Sequence, residues 1–257
     1  MLKKKLLVVA LASSFALPAL ADDLTFSSNV SFVSDYLYRG ISQTGAKPAI
    51  QGGFDLSHAS GFYAGAWGSS ISWLSDMGVN GTTSGIANSG LELDTYAGYK
   101  GTAAGVGYDV GFLRYNYPGT YSGGAVKADT NEFYGAISYS IVTAKLSYST
   151  GDTFGIANTS GTTYAELNAS YSLADTGITL GGHFGAQTFT GTGADALKAA
   201  GTDPTYTDFK VSVSKDFSGY VVGLALSGTS SASPWYTNMQ GIKTGKGTAV
   251  LSLSRAM

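Results

Sequence analysis

Apolar and polar side chains alternate along much of this chain with a period of two. Over residues 24 to 38, Leu24, Phe26, Val30, Phe32, Tyr36 and Tyr38 share one parity, while Ser27, Asn29, Ser31 and Asp35 share the other, with Arg39 next in line. Successive side chains of a strand point to opposite faces, so such a segment presents an apolar face and a wettable one. The same alternation runs through 91–100, 131–141, 163–173, 178–187, 208–214 and 247–257. Five more segments, 49–58, 62–73, 105–117, 143–149 and 219–228, fit less cleanly. In 105–117 the parity of Val106, Tyr108, Val110 and Phe112 would put Arg114 on the apolar face, whereas Leu113, Tyr115 and Tyr117 argue for the opposite one. A bulge near Phe112 would reconcile the two halves. The pattern therefore predicts about twelve strands, and an even number is what bacterial outer-membrane barrels use.

The links between these segments are sorted by length. Short ones, HASG (58–61), GTAAG (101–105), IVT (141–143), ADTG (174–177) and DFSG (216–219), alternate with long ones at 40–48, 74–89, 118–129, 150–162, 190–205 and 229–246. With both ends of the chain in the periplasm, every long link falls outside the cell and every short one inside. That asymmetry predicts an all-β fold: a transmembrane antiparallel up-and-down barrel with short periplasmic turns and long extracellular loops. The stretch ADALKAA (194–200) predicts one or two helical turns within a long link.

Composition agrees. Charged residues are 12% of the chain, Gly numbers 36 and Tyr 17, unlike an ordinary soluble globule, in which about 25% of residues are charged. Lys3, Lys4 and Lys5 precede an apolar run, and Ala19-Leu20-Ala21 is a small-x-small site. Residues 1–21 thus read as a cleaved signal peptide and 22–257 as the barrel, placed in the outer membrane of a Gram-negative bacterium. There is no cysteine and the formal net charge is −2. The acidity argues against nucleic-acid binding, which requires a basic patch. The expected partners are outer-membrane lipid and small hydrophilic solutes or ions, and no cofactor is implied.

Strand parity also nominates residues. The expected lumen wall carries the acids Asp35, Asp55, Glu92, Asp94, Asp109, Glu132, Glu166 and Asp208, the bases Arg39, Lys100, Lys145 and Lys210, and His183. Eight acids against four bases predict a weak cation preference. Asp35 and Arg39 read either as a constriction pair or as wall charges with cross-strand partners, Asp55 being the candidate for Arg39. Tyr36, Tyr38, Trp73, Tyr99, Tyr115, Tyr117, Tyr139, Tyr148 and Tyr171 fall near strand ends and are the expected interfacial girdles, with Tyr63 near a short turn beside them.

The stretch FVSDYLYRGISQTGAKPAIQGGFDLSHASGFYAGAWGSS (32–70) resembles the TorF-type family of proteobacterial porin-like proteins. The resemblance rests on SDYLYRGISQ at 34–43, Pro48 entering the second strand, QGGFD at 51–55 and GFYAGAWGS at 61–69, with weaker echoes to residue 140. It implies an outer-membrane channel and names no solute. The chain ends in Met257, where outer-membrane chains usually end in an aromatic residue.

Two other readings fit the residues less well. A hydrolase would draw on His58 or His183, but no G-x-S-x-G elbow is present, and His58 falls on a periplasmic turn. Calcium on Glu92 and Asp94 would have few oxygen ligands. The alternative to a channel is a non-conducting barrel with a structural, adhesive or interaction role, its interior filled by its own side chains. Small polar residues on the inward parity, such as Ser27, Gly53, Gly98, Ser138, Gly181 and Ser212, favour a narrow channel, since twelve strands lie between a filled barrel and a wide one.

Overall fold

The computed structural model describes residues 23–77, 85–231 and 233–257; the expected signal segment and part of the link 74–89 lie outside the described residues. Twelve antiparallel strands close into one barrel. In chain order they are β1 (Leu24–Val33), β2 (Ala49–His58), β3 (Phe62–Ser70), β4 (Leu91–Ala103), β5 (Val106–Asn116), β6 (Thr130–Tyr139), β7 (Val142–Ser149), β8 (Thr163–Leu173), β9 (Ile178–Thr188), β10 (Tyr206–Phe217), β11 (Tyr220–Thr229) and β12 (Thr248–Ala256). Each strand pairs with its neighbours in sequence, and β1 closes the seam against β12, Val30 opposite Arg255 and Phe32 opposite Leu253. The expected architecture is thus observed, with each barrel strand paired on both sides and no free edge within the barrel.

The period-two pattern produces this because one face of each strand is apolar and the sheet curls to put that face outside. Leu24, Phe32, Phe54, Phe133, Ile137, Leu146, Leu167, Phe184, Val211, Leu226 and Leu251 are all large, apolar and exposed. In water such a surface would be untenable. Toward the rim with the short turns the belt becomes aromatic: Phe62, Tyr108, Tyr139, Tyr171, Phe217 and Tyr220 stand exposed, and Tyr99 packs between Phe62 (4.9 Å) and Tyr108 (6.1 Å). The turns on this rim are tight. Ala104-Gly105 and Ser218-Gly219 have φ of +49° and +80°, and +58° and +91°, the left-handed pair of a two-residue hairpin turn.

Two expectations about strand limits are corrected. No bulge occurs near Phe112: the β4–β5 register runs unbroken from Ala103 opposite Val106 to Leu93 opposite Asn116. Arg114 therefore does face outward, at the upper rim, where Asn116 (2.7 Å), Asn131 (3.0 Å) and Asp129 (3.1 Å) satisfy its guanidinium. Leu113 and Tyr115 point inward instead. Nor does the first strand reach Tyr38. It stops at Val33, and Ser34 is held at the seam by a pair of hydrogen bonds with Leu251. The chain then turns into the barrel. Among the described residues the long links carry two α-helices, α1 (Trp73–Asp76) and α2 (Thr192–Ala199), the second where helical turns were expected, and a 3-10 turn at Pro234–Tyr236.

Candidate functional site: a hairpin inside the barrel

Residues 34–48 do not form a loop outside the barrel. Leu37–Tyr38 pairs with Ile41–Ser42 in a short ribbon whose turn, Arg39-Gly40, has φ of +47° and +77°. Two left-handed residues make the same tight hairpin turn as on the lower rim. Here the second must be glycine: a Cβ on Gly40 would lie 2.7 Å from Thr229 Cγ2 and 2.8 Å from Asp208 Cβ. The hairpin tip is therefore wedged against β10 and β11. Its base is tied by Asp35, which accepts hydrogen bonds from Ser42 Oγ (2.6 Å) and Thr44 Oγ1 (3.0 Å). Burial pushes the Asp35 carboxyl above the usual carboxylate range, and these two bonds oppose the shift.

Three side chains fasten the hairpin to the wall. Tyr36 donates to Glu92 Oε1 on β4 (3.0 Å). Tyr38 donates to the Tyr115 hydroxyl on β5 (2.7 Å), which donates in turn to Glu132 Oε2 on β6 (3.2 Å). Burial pushes both hairpin hydroxyls well above the usual tyrosine range, so each is held as a neutral donor. Arg39 reaches furthest, to Glu132 Oε2 (2.8 Å) and Gln187 Oε1 on β9 (2.7 Å). Its guanidinium lies over the rings of Tyr164 (4.2 Å) and Tyr38 (4.8 Å). Only 7% of the Arg39 side chain and 2% of Glu132 is exposed, so each charge depends on the other.

Above the hairpin the long links close in. Backbone N–H groups of Ser72 and Trp73 donate to the Gln43 carbonyl (2.9 and 3.0 Å), and Ser42 donates to Thr244 (2.9 Å). Tyr36, Ile71, Leu74, Ala87, Tyr115, Tyr117 and Ala128 form one apolar cluster, with Trp73 packed against it and edge-on to Tyr117 at 5.4 Å. Five residues expected in the outer girdle, Tyr36, Tyr38, Trp73, Tyr115 and Tyr117, are thus inside or above the barrel. The physical reasons are the early end of β1, the unbroken register of β5 and, for Trp73, the end of β3 at Ser70 before α1 begins. Tyr63 is also inward, donating to Asp109 Oδ1 (2.6 Å) and bonded to the Tyr134 hydroxyl. Tyr139, Tyr148 and Tyr171 are exposed on the outer surface.

Every inward charge expected from parity lies on the inner face of its strand or on the hairpin. Most of them fall into partnered groups. Asp55 accepts from Tyr96 (2.7 Å) and does not meet Arg39, because the hairpin carries Arg39 toward the opposite wall. Lys145 approaches Glu166 at 3.9 Å and the Tyr134 ring at 4.5 Å; Lys100 lies 5.2 Å from the Tyr63 ring. His183 bonds Asn168 through Nδ1 (2.7 Å) and Asp208 through Nε2 (2.8 Å), and Tyr164 donates to the other Asp208 oxygen (2.9 Å). This His–Asp pair is joined by a tyrosine rather than a serine, so the nucleophile of a hydrolytic triad is missing from it. His58 bonds Ser60 within its own exposed turn (2.7 Å). Two carboxylate oxygens are different: Glu92 Oε2 and Asp94 Oδ1 are buried with no hydrogen-bond partner.

The hairpin touches β4, β5, β6, β8, β9, β10 and β11 and does not fill the lumen beside it. A cavity of about 430 Å³ remains there, bounded by the hairpin at Asp35–Tyr38, by Gln51, Trp67, Asp94 and Leu113 on β2–β5, and by Lys210, Ala225 and Val250 on β10–β12.

A family model described as a bacterial protein of unknown function (Gcw_chp) matches residues 19–257. The chain belongs to the Gcw_chp family. No curated protein matches this Gcw_chp chain. Among solved structures, the KdgM porin in complex with disordered oligogalacturonate aligns at 8% identity and TM-score 0.48, covering 90% of this chain and 96% of that one. A structure from "Unveiling the Mechanism Behind the in-meso Crystallization of Membrane Proteins" aligns at 6% identity and TM-score 0.50, covering 90% and 83%. OccD3 (OpdP) of Pseudomonas aeruginosa aligns at 11% identity and TM-score 0.42, covering 92% of the Gcw_chp chain and 65% of its own. At such identities a likeness concerns the barrel fold and nothing finer.

Proposed function

We propose that this Gcw_chp protein is an outer-membrane, porin-like channel for passive diffusion of small hydrophilic solutes or ions, constricted by its own first hairpin. One observation carries the reading. The hairpin is fastened inside the barrel, and a cavity of about 430 Å³ remains beside it. The exposed apolar belt and its aromatic lower rim supply the surface that lipid requires. Residues 1–21 act as the export signal, and the TorF-type resemblance of residues 32–70 belongs to the same reading. The protein works without a cofactor and without chemistry. The inward acids outnumber the inward bases, which makes the wall weakly cation-preferring, an effect that salt screens beyond about 10 Å at 0.1 M.

Planar-bilayer recording tests this. Purified protein should give small single-channel steps and a reversal potential on the cation-selective side under a potassium chloride gradient, shrinking as salt rises. Anion selectivity would remove the proposed role of the acidic wall. The second reading, a barrel sealed by its hairpin, is favoured by the number of strands the hairpin touches. Deleting residues 36–42 separates the two. A silent parent and a conducting deletion variant would establish the sealed barrel, whereas steps in both, larger in the variant, support the constricted channel.

A further inference from the structure

A second cavity lies above the hairpin, where the long links close in. The hairpin borders it from Tyr38 to Gln43, and α1 and the links after β7 and β11 supply most of the rest. Its volume, about 90 Å³, far exceeds the roughly 10–15 Å³ that one water needs. Aromatic side chains dominate the lining: Trp73, Tyr117, Phe189, Tyr206, Trp235 and Tyr236. They brace one another edge-on, Trp73 against Tyr117 at 5.4 Å and Tyr206 against Tyr236 at 5.1 Å. The Tyr236 hydroxyl also donates to the Pro204 carbonyl (2.5 Å). The charge of the lining is one-sided. Among the described residues that border the space, Asp76 is the only charged one, and no Lys, Arg or His joins it. Asp76 shares the single turn of α1 with Trp73, and the Met239 N–H donates to its carbonyl (2.9 Å), which ties the link carrying Trp235 and Tyr236 to the same helix. Gly45 closes this corner: a Cβ there would lie 3.2 Å from Asp76 Oδ2 and 3.7 Å from Asn238 Nδ2. Ser72 Oγ donates to Asp76 Oδ2 (2.6 Å), and among the described residues no cation lies within ion-pair distance of the carboxylate. Arg39 does not border the cavity. It packs on the Tyr38 and Phe154 rings at 4.8 and 5.9 Å, and Glu132 matches its charge at 2.8 Å.

We propose that this cavity binds a small alkylammonium cation, held by the aromatic side chains with Asp76 as the counter-charge. The inference rests on the channel reading and names its solute class. Aromatic rings attract a cation through their quadrupole and need no hydrogen bond to it, which suits a nitrogen clad in methyl groups. A primary ammonium is compact and strongly hydrated, so replacing its N–H donors by apolar surface improves the match to this lining. An anion finds no base here and meets Asp76. A neutral apolar solute matches the rings and leaves the acid unanswered.

The test reads binding separately from conduction. Detergent-purified protein is titrated by calorimetry with choline, with its neutral isostere in which carbon replaces the nitrogen, and with ethanolamine, acetate and glucose. Choline should bind about tenfold more tightly than the neutral isostere or ethanolamine. Trp235→Phe, which keeps a ring, should retain most of that affinity, and Trp235→Leu should lose about tenfold. Asp76→Asn should weaken choline and not the isostere, by a factor that shrinks as salt rises. The ligand series on the parent protein and Asp76→Asn keep the test decisive if changes at Trp235 impair folding. No binding of choline, equal affinity for choline and its isostere, tighter binding of glucose, or equal losses in Trp235→Phe and Trp235→Leu overturns the proposal. Conducting bilayers without choline binding would leave the channel and remove this site; choline binding in silent bilayers would do the reverse.

Discussion

An alanine at position 40 would carry a Cβ into contact with Thr229 and Asp208 while keeping a left-handed backbone, φ +77°. The backbone alone costs about 1–2 kcal/mol for a residue with a side chain. Gly40→Ala should therefore loosen the hairpin without touching the strand ladders. Arg39 already accepts that backbone, at φ +47°, and strain of this kind persists only where surroundings over-determine it. Here the surroundings are Glu132 and Gln187. Removing one partner of a buried ion pair costs about 3–5 kcal/mol, so Glu132→Ala should release the tip more completely than Gly40→Ala. The chain has no cysteine, which makes the check direct: Leu37→Cys should react slowly with a thiol reagent in the parent background and markedly faster with either substitution added. Equal rates in all three would show that neither residue holds the hairpin.

Individual strands were legible to within a few residues, because a two-sided strand writes its period into the sequence. Leu167 and Glu166 on β8 show why: one meets the outside, the other Lys145 and His183 within. Placing lysine at Leu167 should cost about 2–4 kcal/mol if that face sits near a bilayer midplane, whereas lysine at Ser170 on the inner face of the same strand should be tolerated. Heat-modifiable mobility in detergent gels reads both, and equal folding yields would contradict the assigned faces. The hairpin was not legible in the same way. Tyr36 and Tyr38 continued the parity of β1, and nothing local marks the point where pairing with β12 ends. The one available signal was Arg39-Gly40 between Tyr38 and Ile41, a two-residue turn with glycine second. Its partners Glu92, Glu132 and Gln187 lie 56 to 148 residues away, a distance no periodicity encodes. Which of the inward acids stayed unpartnered depended on the hairpin.

At the scale of the whole molecule, the sorting of links by length gives the barrel two unlike rims. Single cysteines in 229–246 should be labelled on intact cells by an impermeant reagent, and cysteines in 174–177 should not; equal labelling would overturn the orientation. The upper rim is also where the order of assembly is decided. Neighbouring strands close over few residues, so their hairpins form early at little entropic cost. Arg39 finds Glu132 and Gln187 only across 93 and 148 residues, and Gly40 meets Thr229 near the last pair of strands. A segment made first is thus rewarded last. Until β6, β9 and β11 are in place, a guanidinium and the hairpin's two tyrosines must wait in a half-built wall, and the finished barrel has to be closed around them rather than filled afterwards.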